Sequence, residues 1–248
     1  MSDLSPAIRE FILAFADDEH LMGQQHTEWI GVTPFLEEDL AFASIGQDEL
    51  GHAALLYALI VADDDAAIDE LAFFRPHDEY RSCWLVEAAG DDWADALVRH
   101  WMYDLAEQHR WDLVADSSLD GLAAASVLAR REESFHLRHA DSLLEALLTD
   151  DDARSRLIAA RDRMAGLGLG LFEGSLGEAE AVATGVASAP LSSRLEAWKA
   201  TIDERFGPTG WEAAVAPGQD GRRTRSDDFT PLHSRMREVF DLDHAASW

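Results

Sequence analysis

A single cysteine, Cys83, occurs in 248 residues, which excludes a disulfide framework and any cysteine-based zinc or iron–sulfur site. Lysine is almost missing as well: Lys199 stands alone, and arginine supplies the other 19 cations. Long apolar runs are absent. The longest, residues 53–62, is about half of the ~20 residues that a bilayer-spanning helix needs. No segment alternates apolar and polar residues in the manner of a half-buried strand. The opening MSDLSPAIRE carries acids where a secretory signal would place a basic and then an apolar region, so a cytoplasmic protein without membrane contact is expected. The 20 cations face 48 acidic side chains, a formal charge of −28, and such a surface repels nucleic acid and anionic lipid.

What is present is a foldable chain. The hydrophobic content of 47% is too high for a disordered acidic sequence, and the length allows a closed core. The acids gather in clusters such as Asp63-Asp64-Asp65 and Asp150-Asp151-Asp152, which read as solvated outer helix faces. A carboxylate shell of this density keeps a protein soluble at high salt and points to a salt-loving source.

Two segments dominate the chain. In residues 4–62, Ile8, Phe11, Ile12, Phe15, Met22 and Trp29 recur at helical spacing, and after Gly31-Val32-Thr33-Pro34 the pattern resumes with Phe35, Leu36, Leu40, Ile45, Leu50 and Leu55. Residues 91–148 repeat the design, with Trp93, Leu97, Trp101 and Leu105 before a break at Asp116-Ser117-Ser118-Leu119-Asp120 and Leu122, Leu128, Phe135 and Leu143 after it. That break offers N-cap residues for the second arm. Two helical hairpins joined by some 28 residues describe an all-α, four-helix bundle of ferritin-like type with one long crossover. The whole of 1–248 reads as one domain, with the bundle in 4–148 and further helices and a tail in 151–248. Glycines at 166, 168, 170, 174 and 177 lack the GxGxxG order and read as a helix ending. A helix over 191–206, a tail over 207–228 that wraps the bundle or a partner, and a short helix over 231–240 complete the expectation.

Each hairpin carries one Glu-x-x-His: Glu49-Leu50-Gly51-His52 and Glu133-Ser134-Phe135-His136. Residues three apart share a helix face, so each pair aims two ligands at one spot. With 20 glutamates and 10 histidines the spacing is weak in itself; placement adds the specificity. Glu49 lies about 15 residues past its turn, roughly 20 Å along the helix, so the antiparallel neighbour at that depth falls near residue 18. Asp17, Asp18 and Glu19 are there. In the second hairpin Asp104 occupies the matching depth opposite Glu133, with Glu107 one turn along. One acid plus one Glu-x-x-His from each hairpin makes the donor set of di-iron and di-manganese carboxylate proteins, and oxygen-rich coordination with two imidazoles suits iron or manganese over zinc or copper. On spacing alone Asp18 competes with Glu19, and Glu107 with Asp104. An acid precedes each ligand glutamate, Asp48 and Glu132, and either could accept the second imidazole N–H across the bundle.

Other features read as structure. The eight tryptophans are core or interface packing, and His77 and His109 are surface groups. Arg222, Arg223 and Arg225 form a basic patch able to meet an anionic ligand or an acidic partner.

These residues resemble the multicomponent phenylacetyl-coenzyme A epoxidases, ring-epoxidising oxygenases with ferritin-like subunits. The resemblance covers most of the chain. It is clearest in Thr27-Glu28-Trp29-Ile30-Gly31, Ile45-Gly46-Gln47-Asp48-Glu49-Leu50-Gly51-His52, Arg131-Glu132-Glu133-Ser134-Phe135-His136 and the arginine-rich tail ending at Trp248. Length and tail look like the C-type component, which pairs with the catalytic A-type component, whereas the two Glu-x-x-His motifs look like the A-type component, which holds the di-iron centre. The resemblance implies Glu19, Glu49, His52, Asp104, Glu133 and His136 as metal ligands, with Glu49 and Glu133 catalytic as bridges, and so selects Glu19 over Asp18 and Asp104 over Glu107. It further implies an acyl-CoA substrate, association with the catalytic oxygenase component and other epoxidase subunits, and electrons reaching the site from NADPH through a separate reductase. C-type components in that family tend to have lost the ligands and to act as structural partners; this chain keeps all six. A stand-alone iron-oxidising ferritin-like protein is the third reading, opposed by the ~100 residues that follow the bundle.

Overall fold

A computed structural model describes residues 4–61, 64–216, 220 and 222–243. Ala62, Asp63 and Trp248, which entered the reading of the sequence, lie outside the described residues. Four long helices form a bundle of the ferritin-like type: α1 (Pro6–Thr27), α2 (Leu36–Val61), then, beyond a crossover holding α3 (Asp65–Phe73) and α4 (Trp84–Glu87), α5 (Trp93–Leu113) and α6 (Asp120–Leu147). The bundle is followed by α7 (Asp151–Leu169), α8 (Glu178–Ala183), α9 (Leu195–Phe206), α10 (Phe229–Met236) and α11 (Glu238–Leu242). No strand occurs among the described residues, and none of the described helices is long and apolar enough to cross a membrane.

Local chemistry sets the helix ends. Ser5 caps α1 by accepting from Ile8 N, and Pro6 begins the helix where its missing N–H is no loss. The α1–α2 turn is tied by the Asp39 carboxylate, which accepts from Gly31 N at 3.0 Å and Thr33 N at 3.2 Å; Gly31 adopts φ +84°, a conformation that favours glycine. Two of the acidic clusters serve as caps, with Asp64 accepting from Ala67 N and Asp150 from Asp152 N and Ala153 N. The α5–α6 break differs from expectation, since the residue at the N-cap of α6 is Leu119 and it makes no side-chain capping bond. The serines are engaged elsewhere: Ser117 Oγ accepts from Leu119 N at 3.2 Å, and Ser118 Oγ donates to Thr184 O at 3.0 Å.

Packing places the helices that carry the Glu-x-x-His motifs and the acids opposite them. Helices α1 and α2 cross closely at Gly23 and Gly46, where a Cβ on either residue would come within 3.2 Å of the other's carbonyl oxygen. Helix α5 is buried on nearly every side, because α7 and α9 cover the flank that the bundle leaves open. Trp198 of α9 fills that flank, fully buried, and its Nε1 donates to Met102 O at 2.9 Å. The tail does wrap the bundle, and it does so through the arginine patch. Arg222 is buried and ion-paired to Asp18 of α1, and Arg225 reaches Glu87 of α4 at 2.6 Å. These two arginines therefore meet acids of their own chain, not a ligand or a partner; within the patch only Arg223 is exposed.

Candidate metal centre

Asp17, Asp18 and Glu19 are consecutive, fully buried, and point three ways. Asp17 is ion-paired to Arg75 and accepts from Tyr57 Oη at 2.7 Å. Asp18 is ion-paired to Arg222 and takes Arg110 Nη2 at 2.7 Å. Glu19 has no arginine of this kind; its Oε2 lies 3.2 Å from His52 Nδ1, and its Oε1 accepts from Trp111 Nε1 at 3.2 Å. The two competitors weighed in the sequence, Asp18 and Glu107, share one counter-ion, since Arg110 Nη1 lies 3.1 Å from Glu107 Oε1. Glu107 also adjoins Glu19.

Around this point the helices converge. One ligand atom from each of Glu19, Glu49, His52 and Glu133 falls within 4.8 Å of the others. His136 joins from α6, its Nδ1 3.6 Å from Glu133 Oε1 and 3.8 Å from Glu49 Oε1. Asp104 stands outside the tight group of four. Its Oδ1 lies 3.2 Å from His100 Nδ1, a nitrogen that also meets His26 Nε2 at 3.1 Å. All six residues are at most 3% exposed.

The outer acids cross the bundle. His52 Nε2 meets Glu132 Oε2 at 2.9 Å, and His136 Nε2 meets Asp48 Oδ2 at 3.2 Å, so each hairpin's acid holds the other hairpin's imidazole. An acid accepting at Nε2 keeps the proton there and leaves Nδ1, the nitrogen facing the carboxylates, as a donor of its lone pair.

The electrostatics are those of a cation site. Burial first, and then the charges of Glu19 and Glu133, push Glu49 well above the carboxylate range. Burial likewise lifts Glu133 to about 7 and Asp104 to about 8. Burial would lower His52 and His136, but Glu19 beside the first and Asp48 and Glu133 beside the second outweigh it and raise them to about 9 and about 11. Burial would also raise Glu19, yet the neighbouring Glu49 and His52 hold it at about 2. Protons thus stand in for positive charge that the cluster requires. Both oxygens of Glu49, Glu133 and Asp104, and Nδ1 of His136, are buried without a hydrogen-bond partner. Such groups are costly unless they coordinate something, and carboxylates with two imidazoles match iron or manganese. The residues present fit a di-metal group.

Three participants were invisible in the sequence. Trp111, which holds Glu19, reads as one more core aromatic; its role requires knowing that Nε1 turns inward. His26 and His100 lie 74 residues apart with no motif to link them. Of the two histidines expected at the surface, His77 is exposed and pairs with His233 at 3.2 Å, whereas His109 is half-buried on α5 because that helix is covered on so many sides.

Comparison with known proteins follows the same lines. The chain is 34% identical over 139 residues to the C subunit of the 1,2-phenylacetyl-CoA epoxidase of Escherichia coli (strain K12), an aligned stretch covering 55% of this chain and 56% of that protein. It thus spans little more than half the length of that curated relative. The family described as Phenylacetic acid catabolic protein matches over residues 2–248. With that match running almost the full length of the chain, this protein belongs to the phenylacetic acid catabolic protein family.

Proposed function

We propose that the chain is a subunit of a phenylacetyl-CoA epoxidase-type oxygenase of the cytoplasm, pairing with a catalytic component and carrying a carboxylate-bridged di-iron site of its own. The observation that carries this reading is the set of buried, partnerless ligand atoms on Glu49, Glu133, Asp104 and His136. Glu19, Glu49, His52, Asp104, Glu133 and His136 would hold the two ions; manganese fits the same donors. Bound there, the metal pair supplies the reduction of dioxygen that ring epoxidation of an acyl-CoA consumes, with electrons from NADPH delivered by a separate reductase.

The chain's own residues prepare the site. Burial of all six ligands excludes bulk water. Asp48 and Glu132 keep a proton on the outer nitrogen of each imidazole and so present the inner one. The Trp111 N–H fixes which oxygen of Glu19 turns away from the cluster. Burial raises the proton affinity of Glu133 and Asp104, so both would give up protons as cations bind.

The likeness to a C-type component favours a second reading, in which the chain supports a partner's chemistry without performing it. Two measurements separate the readings. Anaerobic titration with Fe(II) and metal analysis should give roughly two ions per chain, and absence of bound iron ends the live-site reading. In the assembled epoxidase, Glu133→Ala in this chain should abolish turnover if its own site is used, whereas undiminished turnover assigns it the supporting role.

A further inference from the structure

The outer face of α2 differs from the rest of the surface. In a chain of charge −28, the outward line Leu36, Leu40, Ser44, Gln47, Gly51 and Leu55 bears no charged group and is exposed throughout, Leu40 at 65%. Spacings of three and four residues place these six along one side of the helix. The face continues onto α6. The pairs Asp48–His136 and His52–Glu132, with Leu59 packed near Gly121, set an antiparallel register that brings Leu55 level with Leu128 and Gln47 level with Phe135. Phe135 is 50% exposed. Beside them on α6 stand Arg131 and Arg138, both exposed. Arg138 lies over the Phe135 ring, 5.1 Å from its centroid, and neither guanidinium is ion-paired among the described residues, where most of the other arginines are. A largely apolar, uncovered band, with Asp48 and Glu132 at its seam and two cations without an ion pair at its edge, marks a protein contact.

We propose that the α2–α6 face is the docking surface for a different protein chain, one that offers an apolar helical face edged with carboxylates to pair with Arg131 and Arg138. A second copy of this chain is disfavoured as occupant because two bodies of −28 repel. The inference rests on the reading of the chain as an epoxidase subunit and adds where its partner sits and what the contact does. Asp48 and Glu132, with side chains 34% and 25% exposed, lie at the seam between the two helices. A docked partner covers them, and removing water strengthens the hydrogen bonds by which they orient His136 and His52. The partner therefore closes the metal centre from outside.

The test uses the full chain and the purified catalytic epoxidase component of the same organism. Amide hydrogen exchange should slow over residues 36–55 and 124–142 on mixing, and chelator should strip Co(II) from the complex more slowly than from the free chain. Leu128→Asp with Phe135→Asp should weaken binding about tenfold or more, and Arg131→Glu with Arg138→Glu several-fold, while the melting temperature of the free chain is unchanged because these side chains are exposed. A complex whose protection falls on other helices overturns the docking face and leaves the epoxidase reading intact. Absence of any complex overturns both. A homodimer of the chain alone that Leu128→Asp dissolves overturns the choice of a different chain as occupant.

Discussion

In the α1–α2 hairpin the buried acid of α1 is held from two sides, Glu19 by His52 Nδ1 and by Trp111 Nε1, each at 3.2 Å. In the α5–α6 hairpin the acid at the matching position, Asp104, has both oxygens without a hydrogen-bond partner, and His100 Nδ1, 3.2 Å from it, is shared with His26. Spacing along the chain makes the halves alike, with 30 residues from Glu19 to Glu49 and 29 from Asp104 to Glu133. Tertiary contacts make them unlike. If the proposed pair of ions binds here, the first half is already arranged for it and the second is not, so metal should bind in two unequal steps with the Glu19 half first.

The largest expected effect comes from cutting the tie between the halves. Asp18 on α1 binds Arg110 of α5 and Arg222 of the tail, so Asp18→Ala leaves two buried guanidiniums short of a counter-ion. Urea unfolding should show a loss of about 3–5 kcal/mol; a loss below about 1 kcal/mol would mean that the ion pairs contribute little. Next, Asp48→Asn should weaken the half containing His136, and Glu132→Gln the half containing His52, each by roughly 10–100-fold in metal affinity. Equal weakening of both halves by either change would refute the cross-bundle pairing.

Acidity provides a third handle. Asp104 and Glu133 sit at about 8 and about 7, and His52 and His136 at about 9 and about 11. All four lie above their unfolded values, whereas burial holds His20, His26, His100 and His233 below theirs. The two sets oppose each other below about pH 6.5. Above it the metal-free fold holds more protons than the unfolded chain, so its stability falls as pH rises from about 7 to 9. Glu19, held at about 2, acts oppositely, but only below the ordinary carboxylate range. Melting temperatures of chelator-treated protein should decline from neutral to alkaline buffer, and added metal should restore more at the alkaline end. The smallest effect is expected of Trp111→Phe, which removes one N–H from Glu19 and keeps an aromatic ring. A loss of about 1 kcal/mol in the tighter binding step should bring the two steps of a Co(II) titration together; unchanged separation would show that the indole does not set the difference.

Much of the fold was legible because it depends on local rules. Apolar residues at helical spacing mark α1, α2, α5 and α6, and the Gly31–Pro34 and Asp116–Asp120 breaks fall where the helices stop. That each Glu-x-x-His pair faces one buried cluster was legible for the same reason, since residues three apart must share a side. Choosing among Asp17, Asp18 and Glu19 was not, because consecutive residues point about 100° apart and the rotation of α1 depends on what packs against it. The fate of Arg222 was hidden too: it pairs with Asp18 across 204 residues of chain, and no periodicity links positions so distant.

The order of residues along this chain dictated four long helices, their pairing as hairpins, and two Glu-x-x-His turns at matching depth, because helical periodicity and turn chemistry act over a few residues. Assembly decided which acids would be neutralised by arginine and which left bare, and which imidazole each outer acid would hold. It also turned an uncharged side of α2 toward solvent. Those outcomes follow from how helices rotate and pack against one another, and charge pairing inside a folded interior depends on distances that no stretch of sequence contains.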